Sequence, residues 1–468
     1  MSKKKQKLME ELLEEALVPE EEQPYPLPKN WVWTRLGNVV DFINGDRGKG
    51  YPSKKDFVQH GIPFINAGHL ESGNINMEKM NYISNEKYDS LRSGKVINND
   101  VLYCLRGTLG KAAIVRGIDK GAIASSLVIL RPNNDVNNSY LYFYLISGLG
   151  KSMIEIHDNG SAQPNLSVNN VKKFIFPLPP KYEQKRIAEK IERLFAKIDE
   201  AKRLIEEVKE SFELQWAAIL DKAFKGQLGT NDPNEKSMLE TSNDIKEKDL
   251  IPKEEQPYEV PKNWVWVKTG AIFEQIKEQV LPVGNETYVG LEHLIKGGGI
   301  SHTELAKDIK SKKVVFKKGD VLYGKLRPYL NKHAVVDFDG VASTDILVLR
   351  TEHKYLNQLL DYYLGLPSTI DYAVSNSNGI NLPRVSPKKM NDLPFPLPPK
   401  NEWKRIVKIL DKMLNNLIEE QTLIEQLEAE LISLKNSILY KAFRGELGTN
   451  DPTDEHAIEL LKEVLKSK

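Results

Sequence analysis

From Ile187 onward, apolar residues recur at Ile187, Ile191, Leu194, Ile198, Ala201, Ile205, Val208 and Phe212, in alternating steps of four and three. Such a heptad is the seam of a coiled coil. It follows Phe176-Pro177-Leu178-Pro179-Pro180-Lys181, and the glycines of Ala223-Phe224-Lys225-Gly226-Gln227-Leu228-Gly229-Thr230 stop it. The pattern returns 219 positions later. Phe395-Pro396-Leu397-Pro398-Pro399-Lys400 opens it, and Ala442-Phe443-Arg444-Gly445-Glu446-Leu447-Gly448-Thr449 closes it. The second seam runs Ile406, Leu410, Met413, Leu417, Glu420, Ile424, Leu427, Leu431, Leu434 and Ile438. Each stretch predicts a helix of roughly 40 residues, about 60 Å long. A single apolar stripe of that length needs a partner, and the other copy is the nearest one available.

Alternation and punctuation divide the rest into two halves of one design. Residues 1–20 predict a short amphipathic helix through Leu12, Leu13, Ala16 and Leu17, ended by Pro19. The element at 22–33 contains Pro28-Lys29-Asn30-Trp31-Val32-Trp33 and recurs at 255–266 as Pro261-Lys262-Asn263-Trp264-Val265-Trp266. Prolines fix an extended approach there, and the alternation starts a strand. Asn99-Asp100-Val101-Leu102-Tyr103-Cys104-Leu105-Arg106 matches Gly319-Asp320-Val321-Leu322-Tyr323-Gly324-Lys325-Leu326-Arg327, each a turn followed by a buried strand. The runs 121–131 and 340–350 match in the same way and both end in arginine, Arg131 and Arg350. Between these anchors the halves diverge, as two recognition units of different specificity would. The expected division is an N-terminal segment (1–20), a globular unit (21–180), a long helix (181–230), a polar linker (231–254), a second globular unit (255–399), a second long helix (400–449) and a helical tail (450–468). Leu17-Val18-Pro19 matches Leu250-Ile251-Pro252. The tail and the N-terminal segment together therefore answer to the linker, and the chain reads as a ring opened at one point, with pseudo-twofold symmetry.

Charge sharpens this picture. The whole chain carries a formal +1. Residues 29–180 hold eighteen Lys/Arg against twelve Asp/Glu, and 262–399 hold eighteen against fourteen, so basic globular units alternate with acidic helices and tails. There is no run of eighteen apolar residues and no secretory h-region. The one cysteine, Cys104, lies in a strand-like run as a buried small hydrophobe. A cytoplasmic location is expected.

No catalytic centre stands out. The chain has no P-loop, and neither the Asn/Asp-Pro-Pro-aromatic tetrapeptide nor the Gly-rich turn of an amino-methyltransferase. Glu352-His353-Lys354, with Asp345 upstream, matches a nuclease-like Glu-x-Lys at a level that chance explains in so charged a sequence. The eight histidines show no metal-ligand spacing. Binding chemistry remains. Arg47, Lys49, Tyr51, Lys54 and Lys55 share one early loop; Arg106, Thr108 and Lys111 follow a strand; Ser161, Gln163 and Asn165 share another loop. In the second half Lys325, Arg327, Tyr329, Asn331 and Lys332 form one group, and Asn376, Asn378, Asn381 and Arg384 another. Arg and Lys hold phosphates or read guanine, and Asn and Gln read adenine edges, so the twice-repeated set points to DNA.

These residues carry a family resemblance over essentially the whole chain. Pro-Leu-Pro-Pro-Lys-x-Glu-Gln/Trp-Lys-Arg-Ile occurs at 177–187 and 396–406, each copy leading into a helix that ends Ala-Phe-Lys/Arg-Gly-Gln/Glu-Leu. With the segments Tyr323–Lys332 and Asn159–Ser167, this resembles the specificity subunit (HsdS) of Type I restriction–modification systems. The resemblance implies an α+β fold, with two α/β target-recognition domains joined by two long antiparallel coiled-coil helices. Each domain would read half of a split DNA site. Two methyltransferase (HsdM-type) subunits would dock on the helices and conserved regions, and restriction (HsdR-type) subunits would join them. S-adenosylmethionine, ATP and Mg would belong to those partners, leaving this chain non-catalytic. Trp403 departs from the family's glutamine, and Gly107-Thr108-Leu109-Gly110-Lys111 is a looser form of the second-half turn. Alternatives are the recognition subunit of a fused restriction–methyltransferase, a coiled-coil scaffold that binds protein, and a self-sufficient nuclease.

Overall fold

The computed structural model describes residues 9–48, 50–133, 135–158, 165–242 and 245–466. The chain divides into two units: one takes the chain to Leu204 together with Leu427 onward, the other is Ile205–Gln426. Both long helices form, Lys181–Phe224 and Lys400–Phe443, and each contributes one part to each unit.

Each unit is layered around a four-stranded antiparallel sheet. In the first unit its order is Ala112–Ile114, Val101–Cys104, Leu127–Pro132, Val40–Asn44. In the second it is His333–Val335, Val321–Gly324, Ile346–Arg350, Glu274–Ile276. The two inner strands of each sheet read as near-continuous apolar runs because both faces are covered. Side chains alternate along a strand. Val101 and Tyr103 therefore enter the core shared with the helices, while Leu102 and Cys104 enter a second core toward a five-stranded sheet. Val321 and Tyr323 part from Leu322 in the same way. Cys104 is buried, as its sequence context predicts.

The matched sequence elements are framework. Asp100 accepts both guanidinium arms of Arg131 (2.8 and 2.9 Å) and the Ile97 amide (2.8 Å). Asp320 does the same with Arg350 (2.6 Å twice) and the Lys317 amide (2.8 Å). Such bidentate pairs fix geometry as well as charge. Asn99 and Gly319 precede these aspartates with positive φ, which is why the turn takes Asn or Gly. The tryptophan strands pair with the proline-rich strands before the helices, Trp33 opposite Pro177 and Trp266 opposite Pro396.

The seams close at their ends and open toward their middles. In the first unit Ile187, Ile191 and Ile198 share a core with Ile438, Ala442 and Phe443, with Leu194 and Leu431 half-buried beside them. Lys435 pairs with Asp199 at 2.6 Å. In the second unit Ile406, Leu410 and Leu417 pack with Leu220 and Phe224, and Phe212 lies against them. The start of each helix thus meets the end of the other, the antiparallel arrangement. Ile205 is buried and Met413 and Ile424 half-buried, but Val208 is 41%, Leu427 46% and Leu434 48% exposed. The heptad therefore overstates the seam at these three apolar positions. The domain cores, more than the helix pair itself, bury the stripe.

Candidate nucleic-acid interface

In the second unit the tertiary fold joins the two groups that sequence placed apart. The turn after Val321–Gly324 meets the hairpin Ser377–Asn378 and Arg384–Val385. Leu326 bridges Arg384, the Arg327 amide donates to Pro383 O at 2.7 Å, and the Val385 amide donates to Lys325 O at 3.1 Å. Asn378 lies opposite Arg384 across the hairpin. Arg327, Tyr329, Asn378, Asn381 and Arg384 are exposed on this joined surface. Arg384 pairs with Asp345 at 2.8 Å. Lys325 is half-buried beside both; burial lowers its ammonium pKa, Asp345 opposes that shift, and Arg384 adds to it. The turn is held in unusual backbone: Arg327 (φ +53°) and Asn331 (φ +46°) are both left-handed. Non-glycine residues in that region gather at functional loops when surrounding contacts impose them.

One second-unit expectation is corrected, and two other candidates also serve the fold. Asn331 is buried at the end of the Pro328–Leu330 turn, where its backbone role leaves no exposed side chain. The half-buried Lys332 donates one of its ammonium hydrogens to Leu291 O at 2.6 Å, tying the turn to the neighbouring loop. Asn376 donates to Tyr372 O at 2.9 Å and so finishes its own helix.

The first unit uses the same scaffold with different side chains. Arg106 bridges Asn165, and the Leu166 amide donates to Leu105 O at 2.9 Å, the counterpart of the Lys325–Val385 bond. Arg106, Thr108, Lys111 and Asn165 are exposed. Ser161 and Gln163 lie outside the described residues, as does Lys49. The early loop converges on the same place: Ser126 O accepts the Leu105 amide (2.9 Å), and the Ser125 amide donates to the Tyr51 hydroxyl (3.4 Å). The half-buried Tyr51 also anchors this loop, its ring edge-on to Phe64 at 5.7 Å. Arg47 stays exposed beside Asp46, whose carboxyl the Arg92 and Gly48 amides hold below its usual range. Lys54 and Lys55 are exposed on a turn closed by reciprocal Ser53–Asp56 hydrogen bonds.

Sequence reading missed two things here. Lys296, at the head of Gly297-Gly298-Gly299, bridges Lys332, and the Gly297 amide donates to Asn331 O at 3.0 Å. Three consecutive glycines were the available signal. His293, His302 and Glu304 also gather, with ligand-type atoms within 4.8 Å of one another. However, His293 Nδ1 accepts the Gly290 amide at 3.1 Å, so the neutral ring carries its proton on Nε2. His69 Nδ1 accepts the Asn66 amide in the same way, at 3.1 Å, which marks a repeated structural cap.

A duplicated mixed fold presenting basic, divergent turns defines a class of DNA-recognition protein. Residues 28–210 and 244–429 match the family described as the Type I restriction modification DNA specificity domain, and the chain belongs to that family. It is 26% identical over 323 residues to the Type I restriction enzyme EcoDI specificity subunit of Escherichia coli, covering 67% of this chain and 70% of that protein. It is 23% identical over 444 residues to a putative specificity subunit, MjaX, of Methanocaldococcus jannaschii, covering 87% and 93%. Among solved structures, the HsdS subunit of Thermoanaerobacter tengcongensis matches with a TM-score of 0.58 at 21% identity, covering 91% of this chain and all of that one. A chain from a structure on complex assembly and conformational transition of the type I R-M system matches at 0.69, also at 21% identity and with the same coverage. The protein is a specificity subunit, the non-catalytic recognition component of a Type I system.

Proposed function

We propose that each unit reads one half of a bipartite DNA target, the second through Arg327, Tyr329, Asn378, Asn381, Arg384 and the half-buried Lys325. The first would read through Arg47, Lys54, Lys55, Arg106, Thr108, Lys111 and Asn165, with Lys49, Ser161 and Gln163 on the adjoining stretches. The observation that carries this reading is the conserved framework beneath unlike loops. Asp100–Arg131 and Asp320–Arg350 hold the same strand turn in both units, while the exposed side chains above it differ. One scaffold with two surfaces is what a split, asymmetric site requires. The long helices set the gap between half-sites and, with the conserved regions, receive two methyltransferase (HsdM-type) subunits; restriction (HsdR-type) subunits join that complex. S-adenosylmethionine, ATP and Mg act on those partners, in the cytoplasm.

The test is co-expression with the cognate methyltransferase in a methylation-free host, followed by mapping of N6-methyladenine. One split motif with a fixed gap, dependent on this chain, is expected. Methylation that is absent despite a stable complex of correct mass would overturn the reading.

A further inference from the structure

The two units differ at one seat that the internal repeat makes visible. In the first unit a tail helix, Ala457–Lys466, lies against the N-terminal helix Met9–Ala16 and against Leu36–Val39. Its Leu461 and Val464 are fully buried and Leu460 nearly so. By the sequence repeat, residues 225–249 of the second unit correspond to 444–466 and 9–16 of the first. The shared Leu-Gly-Thr-Asn-Asp-Pro at 228–233 and 447–452 sets the alignment, which puts Thr241 and Ser242 where the tail has Leu460 and Leu461. The helix shrinks accordingly to Met238–Thr241. Before Leu250, the counterpart of Leu17, there is one turn of 3-10 helix, Glu247–Asp249, in place of the N-terminal helix. Among the described residues, two helices are thus answered by one turn of α-helix and one of 3-10 helix, and a cavity of about 910 Å³ remains. Met238, Ala271, Ile272 and Leu356 are among its apolar walls, and the charged Glu235, Glu274, Glu352 and Lys400 line it as well.

Charge at the rim repeats the comparison. In the first unit Lys181 pairs with Asp135 at 2.6 Å, and Glu463 of the tail helix adds a smaller pull on the same ammonium. Lys400 is the counterpart of Lys181 and lines the cavity. It is exposed and has no ion-pair partner among the described residues.

We propose that this cavity is the docking site for one amphipathic helix of a partner subunit, about three turns long. Its apolar stripe would enter between Thr241 and Trp403, and an acidic side chain would meet Lys400. The proposal rests on the reading of this chain as one subunit of a restriction–modification complex. A helix is the fitting occupant because the equivalent wall in the first unit is covered by one, and an amphipathic helix brings an apolar stripe at i, i+3, i+4, i+7 and charged flanks to a groove of mixed lining. A second copy of this chain is a poor donor: its tail helix is already seated, and withdrawing it would uncover Leu461 and Val464.

A photoreactive p-benzoylphenylalanine at position 241, in the complex assembled with the methyltransferase, tests this directly. Irradiation should give a cross-link to an amphipathic helix of the methyltransferase. Cross-links only within this chain or to a second copy of it, or none at all, would overturn the proposal. Ala271→Trp, which fills the cavity, should weaken methyltransferase binding at least tenfold while thermal melting confirms a folded chain; unchanged affinity would also overturn it. Lys400→Glu should weaken binding, and reversing the acid on the cross-linked helix should restore it. The methylation map separates the two levels. A correct split motif without the cross-link defeats only the docking site, whereas absence of any motif from the unaltered complex defeats the functional reading.

Discussion

The indole Nε1 of Trp31 donates to the Glu183 carboxylate at 2.8 Å, and Trp264 makes the same 2.8 Å bond to Glu402. Each carboxylate is fully buried at the start of a long helix. Asn450 (2.8 Å) and Thr449 (3.4 Å) complete the Glu183 site, as Asn231 (3.0 Å) and Thr230 (2.8 Å) complete that of Glu402. Arg186 reaches Asp454 and Thr449 O beside the first, and Arg405 reaches Glu235 and Thr230 O beside the second. One polar lock therefore ties the tryptophan strand, the helix start and the segment after the other helix's glycine stop.

Stability of the first unit should depend on the ionisation of Glu183. Burial raises its carboxyl pKa, against the lowering effects of the Trp31 and Asn450 hydrogen bonds and of Arg186. A carboxyl raised on folding contributes most below its unfolded pKa, and that contribution is lost as pH rises through the folded value. Glu183→Gln, which keeps an acceptor for Trp31, should flatten this decline in melting temperature as pH rises above the ordinary carboxyl range. An unchanged pH profile would refute the assignment. Glu183→Ala should cost about 1–3 kcal/mol by stranding the buried donors.

Gly445 ends the second long helix at φ +72°, and a Cβ there would collide with Pro28. Gly448, at φ +69°, has only the Lys190 ammonium nearby, at 3.7 Å. Gly448→Ala should cost about 1 kcal/mol from backbone strain alone. Gly445→Ala should cost more than that, because Pro28 must also move. Denaturant melts of the two variants check the order, and equal losses would show that the proline yields.

Arg327 is exposed on the joined turn of the second unit. Arg327→Ala should reduce recognition of one half-site by about 1–3 kcal/mol, the worth of a bidentate base contact. The other half-site should stay unchanged in competition assays with altered targets. Equal loss at both half-sites would point to misfolding instead.

The spacer role is open to a length test. Removing four residues from each long helix, 206–209 and 425–428, shortens each by about 6 Å. Base pairs advance about 3.4 Å along one strand. The methylated motif should therefore keep its half-sites and change its gap. The same gap in the shortened protein would end the ruler idea.

Much of the architecture was legible in the sequence because it is written in local terms. Heptad spacing, a glycine after each seam, Trp-Val-Trp alternation and Asn-Asp or Gly-Asp turns each express a backbone preference within a few residues, and all occur twice. The repeat also suggested that the tail and the N-terminal segment together answer to the linker; in the first unit the tail helix lies against the N-terminal helix Met9–Ala16. The recognition surface was legible only as a set of residue types. Arg327 and Arg384 are far apart in sequence, and their meeting depends on a bridge between Leu326 and Arg384. Asn331 has a side chain suited to DNA but is buried, and Tyr51, Lys332 and Asn376 also hold backbone or core.

Sequence alone determined the duplication, the two long helices and the class of protein, since periodicity and motif spacing survive without knowledge of neighbours. Tertiary structure decided which polar side chains are left over for binding. A lysine, tyrosine or asparagine is the same residue wherever it stands; burial and a nearby carbonyl consume its hydrogen bonds, and those are set by residues distant in the chain. It also decided where the seam is closed. The heptad treats Ile187 and Val208 alike, but the domain core covers Ile187 and leaves Val208 exposed.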